Sequence, residues 1–150
     1  MFQQTALAFF GSLFPVILFN IDRRKILWAG LCGAIGWVIY SLMYTNTYSP
    51  IFSSFFGALG IGIYSESMAR ILKTPTFEFL IPGIFPLVPG MKAYKTLQFI
   101  VENNMAGAFS SGTQTLAVGG AIGFGIMLST TIFKFISRLI KNRNKKRSRI

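Results

Sequence analysis

Two stretches without a single charge constrain this chain more than anything else in it: residues 1–21 contain none, and neither do residues 26–65. Crossing about 30 Å of hydrocarbon as a helix takes roughly 20 apolar residues, and charges inside such a run oppose insertion. The first stretch is therefore read as one span at about 1–19. It lacks the basic start and small-residue cleavage site of a secretory signal and is expected to be retained. The second is too long for one span, and its polar run Thr45-Asn46-Thr47-Tyr48-Ser49-Pro50 divides it into spans at about 26–44 and 51–70. Trp28, Tyr44, Tyr48 and Trp37 fall at or near the expected interfaces, where amphipathic rings are favoured.

Composition agrees. Only 13% of residues are charged against 52% hydrophobic, about half the charge of an ordinary soluble domain. The net charge of +11 would suggest nucleic acid as a partner, but eight of the fifteen basic residues lie between Lys134 and Arg149. A basic tail on an apolar body sets membrane orientation and touches anionic lipid, so no nucleic-acid partner is expected. The chain has no His and one Cys, which removes the material for an intramolecular disulfide, the usual zinc sites and Ser-His or Cys-His pairs. Cys32, between Leu31 and Gly33, reads as a small apolar filler. Neither an enzyme nor a metal or cofactor site is expected.

Residues 77–101 are apolar but contain Pro82, Pro86, Pro89, Gly83 and Gly90. Prolines so close together cannot share one regular helix, because each removes a backbone donor and clashes with the preceding turn. A broken span is predicted there, followed by an uncharged polar linker at 103–111 and a last span at about 112–133. The fold class is thus an all-α integral membrane protein of about five transmembrane helices, the fourth broken. A single transmembrane domain occupies 1–133 and a basic cytoplasmic tail 134–150. Five spans place Arg23, Arg24, Lys25, Arg70, Lys73 and the tail on one side, which the positive-inside bias makes cytoplasmic. The N-terminus is then outside and the C-terminus inside; a re-entrant proline segment would put the tail on the wrong side.

Non-helical backbone at membrane depth persists only where protein buries it or a watery cavity hydrates it. Broken helices accordingly form substrate sites in transporters, the half-helix N-terminus offering unpaired N–H groups to an anion. A helix resuming near Gly90 would put Met91 to Ala93 at such a terminus, with Lys92 in its first turn. Pro82, Gly83, Pro86, Pro89, Gly90, Lys92 and Lys95 are the candidate carboxylate-binding residues. The alternative is a kink that serves packing, with both lysines snorkelling into headgroups. In the third span Ser54, Ala58, Gly62, Glu66 and Arg70 recur every fourth residue and share one helix face. Small residues permit close helix approach, so this face should meet protein and carry Glu66 inward. Glu66, Arg70 and Glu78 are the candidate ion-coupling groups, against a plain Glu66 to Arg70 pair or an interfacial Glu78. Gly119 and Gly123 form a GxxxG pair that predicts close packing within the chain or against a partner.

The run Ile81-Pro82-Gly83-Ile84-Phe85-Pro86-Leu87-Val88-Pro89-Gly90, with Tyr94 shortly after, resembles the signature of the threonine/serine exporter family in its small-subunit, YjjB-like branch. Leu18-Phe19-Asn20, Gly33-Ala34-Ile35-Gly36-Trp37 and Ala69-Arg70-Ile71-Leu72-Lys73-Thr74-Pro75 are similar as well, so the resemblance covers about residues 10–130. It implies a multi-pass protein of the bacterial inner membrane, equivalent to the C-terminal half of full-length exporters. It also implies a partner, the complementary exporter half, which supplies a second membrane portion and a cytoplasmic domain. Threonine, serine or succinate-like dicarboxylates are the implied solutes, and proton coupling the expected drive. The competing expectation is a membrane scaffold or assembly subunit that transports nothing and stabilises a partner, or a homo-oligomer.

Overall fold

The computed structural model describes residues 2–19, 21–22 and 25–147, with side chains over 3–19, 21–22 and 25–139. Arg23, Arg24 and the tail side chains beyond Leu139, which bear on orientation, lie outside the described residues. Among the described residues every regular element is a helix: α1 (Phe2–Leu18), α2 (Ile26–Thr47), α3 (Pro50–Leu72), α4 (Phe77–Ile84), a 3-10 turn (Phe85–Leu87), α5 (Gly90–Val101) and α6 (Met105–Arg147). Two helices are long and apolar enough to cross a membrane by length and composition, Ile26–Thr47 and Met105–Leu139.

Local sequence explains the corners. Tyr48 closes α2 in the left-handed region and its N–H donates to the Tyr44 carbonyl at 2.9 Å; Pro50, at the first position of α3, needs no N–H there. Lys73 ends α3 in the same way, at φ 51°. Between α5 and α6, Asn103 takes φ 59°, and Asn104 Oδ1 accepts the Gly107 N–H at 3.0 Å as an N-cap.

The last helix is longer at both ends than the expected span of 112–133. It begins at Met105, so most of the stretch expected as a linker is helical, and the Phe109 and Ser111 carbonyls there accept from Thr113 Oγ1 at 2.9 Å and Thr115 Oγ1 at 2.8 Å. Nor does the helix stop at 133. It continues to Arg147 through the basic region, a sequence rich in Lys and Arg, which are good helix formers. Its 43 residues make a rod of about 65 Å.

In the bundle, α1 packs on α2, α2 on α3 and α3 on α6, while α4 lies against α1, α2 and α3. The helices α3 and α6 run parallel: Gly125 meets Phe55 and Ala58, Gly62 meets Ser129, and Arg70 lies over the Phe133 ring at 5.1 Å. A Cβ on Gly125 would come within 2.6 Å of the Phe55 carbonyl oxygen, so only glycine permits this approach. The face bearing Ser54, Ala58 and Gly62 is buried, with Glu66 half-buried below it, as the four-residue spacing predicts. The helix α5 runs antiparallel to the start of α6, Lys92 pairing with Gln114 and Phe99 lying against Gly107.

Candidate substrate cavity at the proline break

The fourth segment is broken, but only over the later part of the 82–90 run. Pro82 and Gly83 lie inside α4 and are buried. A Cβ on Gly83 would sit 2.6 Å from Cys32 Sγ and 2.9 Å from Ile61 Cγ2, so this glycine lets α4 seat against α2 and α3. The break itself spans 85–89. Pro86 is the second residue of the 3-10 turn and Pro89 takes the N-cap position of α5, both places where proline's missing N–H is tolerated.

Around this break lies a cavity of about 190 Å³, smaller than the pockets that take drug-sized ligands and suited to a small metabolite. Pro86, Leu87, Val88 and Pro89 form one wall, and Gly90, Met91 and Lys92 of α5 the next. Trp37 and Tyr40 of α2, Pro50 and Ser54 of α3 and Val118 of α6 close it. Trp37 and Tyr40 are stacked, their centroids 5.3 Å apart, and Tyr44 continues the stack at 5.9 Å from Tyr40. A larger cavity of about 390 Å³ shares Trp37 and Pro86 and adds Gln4, Leu7 and Phe85; Gln4 is the polar side chain added on that side.

The start of α5 has no side-chain cap. Its Ala93 N–H bonds to the Pro89 carbonyl at 3.0 Å and the Gly90 N–H to Val88 at 2.8 Å, whereas helix geometry leaves the N–H groups of Met91 and Lys92 without an intrahelical acceptor. The Lys92 ammonium donates to Gln114 Oε1 at 3.0 Å. One cationic side chain, one uncapped helix start and two aromatic faces thus converge on a cavity with no acidic side chain in its lining. That set suits a small anionic group.

Of the sequence-predicted binding residues, Pro86, Pro89, Gly90 and Lys92 come together here. Pro82 and Gly83 are packing residues one helix away, and Lys95 is exposed outside the lining. Trp37, Tyr40 and Ser54 escaped sequence reasoning as lining residues; the aromatic spacing of 37, 40, 44 and 48 on one face of α2 was the available signal for the first two. The ion-coupling candidates separate. Glu78 Oε2 is 2.7 Å from Lys25 Nζ, with side chains 17% and 18% exposed, tying α4 to the start of α2. Arg70 Nη2 donates to the Phe133 carbonyl at 3.4 Å and does not pair with Glu66. Glu66 is half-buried with no partner among the described residues. Among those residues no three of His, Cys, Asp or Glu gather closely enough to hold a metal ion.

The sequence model of the family described as Threonine/Serine exporter, ThrE matches residues 4–132. A protein of Haemophilus influenzae, described only as uncharacterized, is 25% identical over 125 residues, an alignment that covers 78% of this chain and 42% of that protein. This chain therefore spans less than half the length of that relative. No solved structure matches it. Nearly the whole helical body, including the proline break and every residue lining the cavity, falls within the family match, and the chain belongs to the threonine/serine exporter family.

Proposed function

We propose that this chain is the membrane subunit of a two-component secondary exporter for small amino acids or carboxylates, with five spans, N-terminus outside and C-terminus inside. The observation that carries the proposal is the cavity at 86–92, where the uncapped start of α5 and Lys92 border a half-open space also lined by three other helices. A solute carboxylate binds there through the N–H groups of Met91 and Lys92 and the Lys92 ammonium. These are preformed donors at the positive end of a helix dipole. Trp37 and Tyr40 supply π faces that accept an ammonium group of the same solute. Glu66, without a partner among the described residues, is the proton-coupling group; Glu78 is engaged by Lys25 and serves to hold α4. Alternating access follows from rocking of the helices about the break.

A second chain completes the transporter. Two observations support this. The Haemophilus influenzae relative is more than twice as long as the part that this chain matches. Gly119, Gly120 and Gly123 of α6 have no neighbour among the described residues within 4 Å of where a Cβ would stand, so the GxxxG face is uncovered by them, a surface on which a second helix packs closely. Residency in the bacterial inner membrane and contact of Lys134 and Arg138 with anionic lipid belong to the same reading. It is tested by expressing the chain with and without the complementary half and measuring efflux of preloaded labelled threonine, serine and succinate. Efflux that requires both chains is expected, and efflux indifferent to this chain would leave only the scaffold role.

A further inference from the structure

The two cavities beside the break have Trp37 and Pro86 in common and otherwise separate linings. The smaller lies between the break and α2, α3, α5 and α6, the larger between α1, α2 and the 3-10 turn, so Trp37 and Pro86 stand at their junction. That junction carries an unused donor. Three side-chain polar atoms, Trp37 Nε1, the Tyr64 hydroxyl and Thr74 Oγ1, are buried without a partner among the described residues, and of the three residues only Trp37 lines either cavity. Buried donors are satisfied in native proteins as a rule, and packing does not call for this one. A phenylalanine at 37 would stack on Tyr40 as the indole does, at 5.3 Å, with no N–H to bury. The backbone before Trp37 is held on two sides, since Gly33 lies against Ser12 of α1 and Gly36 against Ile61 of α3. The side chain is held by packing on Tyr40 and the core, without a hydrogen bond at Nε1, so it can turn without breaking one.

We infer that the larger cavity is a second chamber on the export route and that Trp37 is the gate between the two. The donors stand in order. In the smaller cavity a solute carboxylate has the start of α5 and the Lys92 ammonium; in the larger it has Gln4, whose amide also donates. Between them the indole N–H, which donates and cannot accept, is the group a carboxylate meets at the crossing. Without it the carboxylate would leave charge-assisted hydrogen bonds for a wall of Leu7, Ala8, Phe85 and Pro86, all apolar, a step that costs an anion heavily. The indole thus closes the smaller chamber by its bulk and lowers the barrier to leaving it by its N–H. Gln4 lies in the first turn of α1, so in the proposed orientation the larger chamber is the outer one. The inference rests on the reading of the smaller cavity as the transport site.

The test uses vesicles that carry the chain together with its complementary half and are preloaded with labelled serine. Gly11 lines the larger cavity, and a Cβ there meets nothing within 4 Å, so Gly11→Cys places a thiol inside that chamber; Leu7→Cys supplies a second thiol on its wall. N-ethylmaleimide should slow efflux at least tenfold in these variants relative to the same vesicles untreated, with the wild-type pair, in which Cys32 is buried, as background. Trp37→Phe keeps a ring and removes the donor. Its maximal efflux rate should fall about five- to tenfold, the worth of one hydrogen bond, at an unchanged half-saturating serine concentration, because the N–H acts in crossing and not in loading. Efflux unchanged by labelling, or thiols that do not label at either position, would overturn the second chamber. The gate is overturned by a Trp37→Phe variant of wild-type abundance that exports at the wild-type rate, or that needs more serine for half-saturation with its maximal rate intact. The transport-site reading fails separately, if Gly90→Leu and Lys92→Ala leave serine efflux intact whatever Trp37 does.

Discussion

The two halves of the broken fourth segment differ in almost every physical respect. In α4, Phe79, Pro82 and Gly83 are buried and Phe79 is fully enclosed by the cluster of Val16, Ala29 and Met68. In α5 no residue is buried, and Met91, Tyr94 and Leu97 are 74%, 64% and 65% exposed. One half is fixed by packing and the other is attached mainly along one side of α6. A break between a clamped helix and a loosely held one places the donors of α5 beside a cavity without leaving unsatisfied backbone in the core. It also means that stability and transport should be separable by mutation on either side of residue 85.

The largest effect on folding is expected in α4. Phe79→Ala should cost about 3–5 kcal/mol, as for other buried aromatic truncations, read as a fall in the unfolding temperature of the detergent-solubilised protein. Gly83→Leu comes next. It forces a side chain into Cys32 and Ile61 and should cost about 1–3 kcal/mol or more by overpacking, read as lost membrane abundance. The Lys25 to Glu78 pair ranks third, since a partly exposed ion pair is worth about 1 kcal/mol or less. Glu78→Gln should lower the unfolding temperature slightly, and exchanging the two residues should recover part of it. In α5, Lys95→Ala should change neither stability nor efflux, because Lys95 is exposed and lines nothing. A large folding defect from Lys95→Ala, or none from Phe79→Ala, would erase the contrast between the halves.

Much of this arrangement is legible in the sequence alone. The charge-free runs and the polar break at 45–50 locate α2 and α3, and crowding of prolines requires a break, because these effects act within a few residues of their cause. What the sequence hid depends on distant neighbours or on polar groups that satisfy themselves. Pro82 stays helical because α4 is clamped through Gly83 against Cys32, which nothing near residue 82 reveals. Residues 105–111 read as part of an uncharged polar linker, yet they are helical, and the hydroxyls of Thr113 and Thr115 just beyond bond back to the Phe109 and Ser111 carbonyls. In the site, Pro86, Gly90 and Lys92 follow from the break, whereas Ser54 enters through helix packing alone. Its position in the small-residue row on α3 told only that it would face protein.

Gly90→Leu tests the central claim most directly. Gly90 opens α5 and lines the cavity, and a Cβ there meets nothing within 4 Å, so a leucine adds bulk beside the cavity without disturbing the fold. Efflux of preloaded labelled serine from cells carrying both exporter halves should fall at least tenfold, with membrane abundance and unfolding temperature unchanged. Wild-type efflux in a normally folded Gly90→Leu variant would show that the proline break serves packing and that the substrate passes elsewhere.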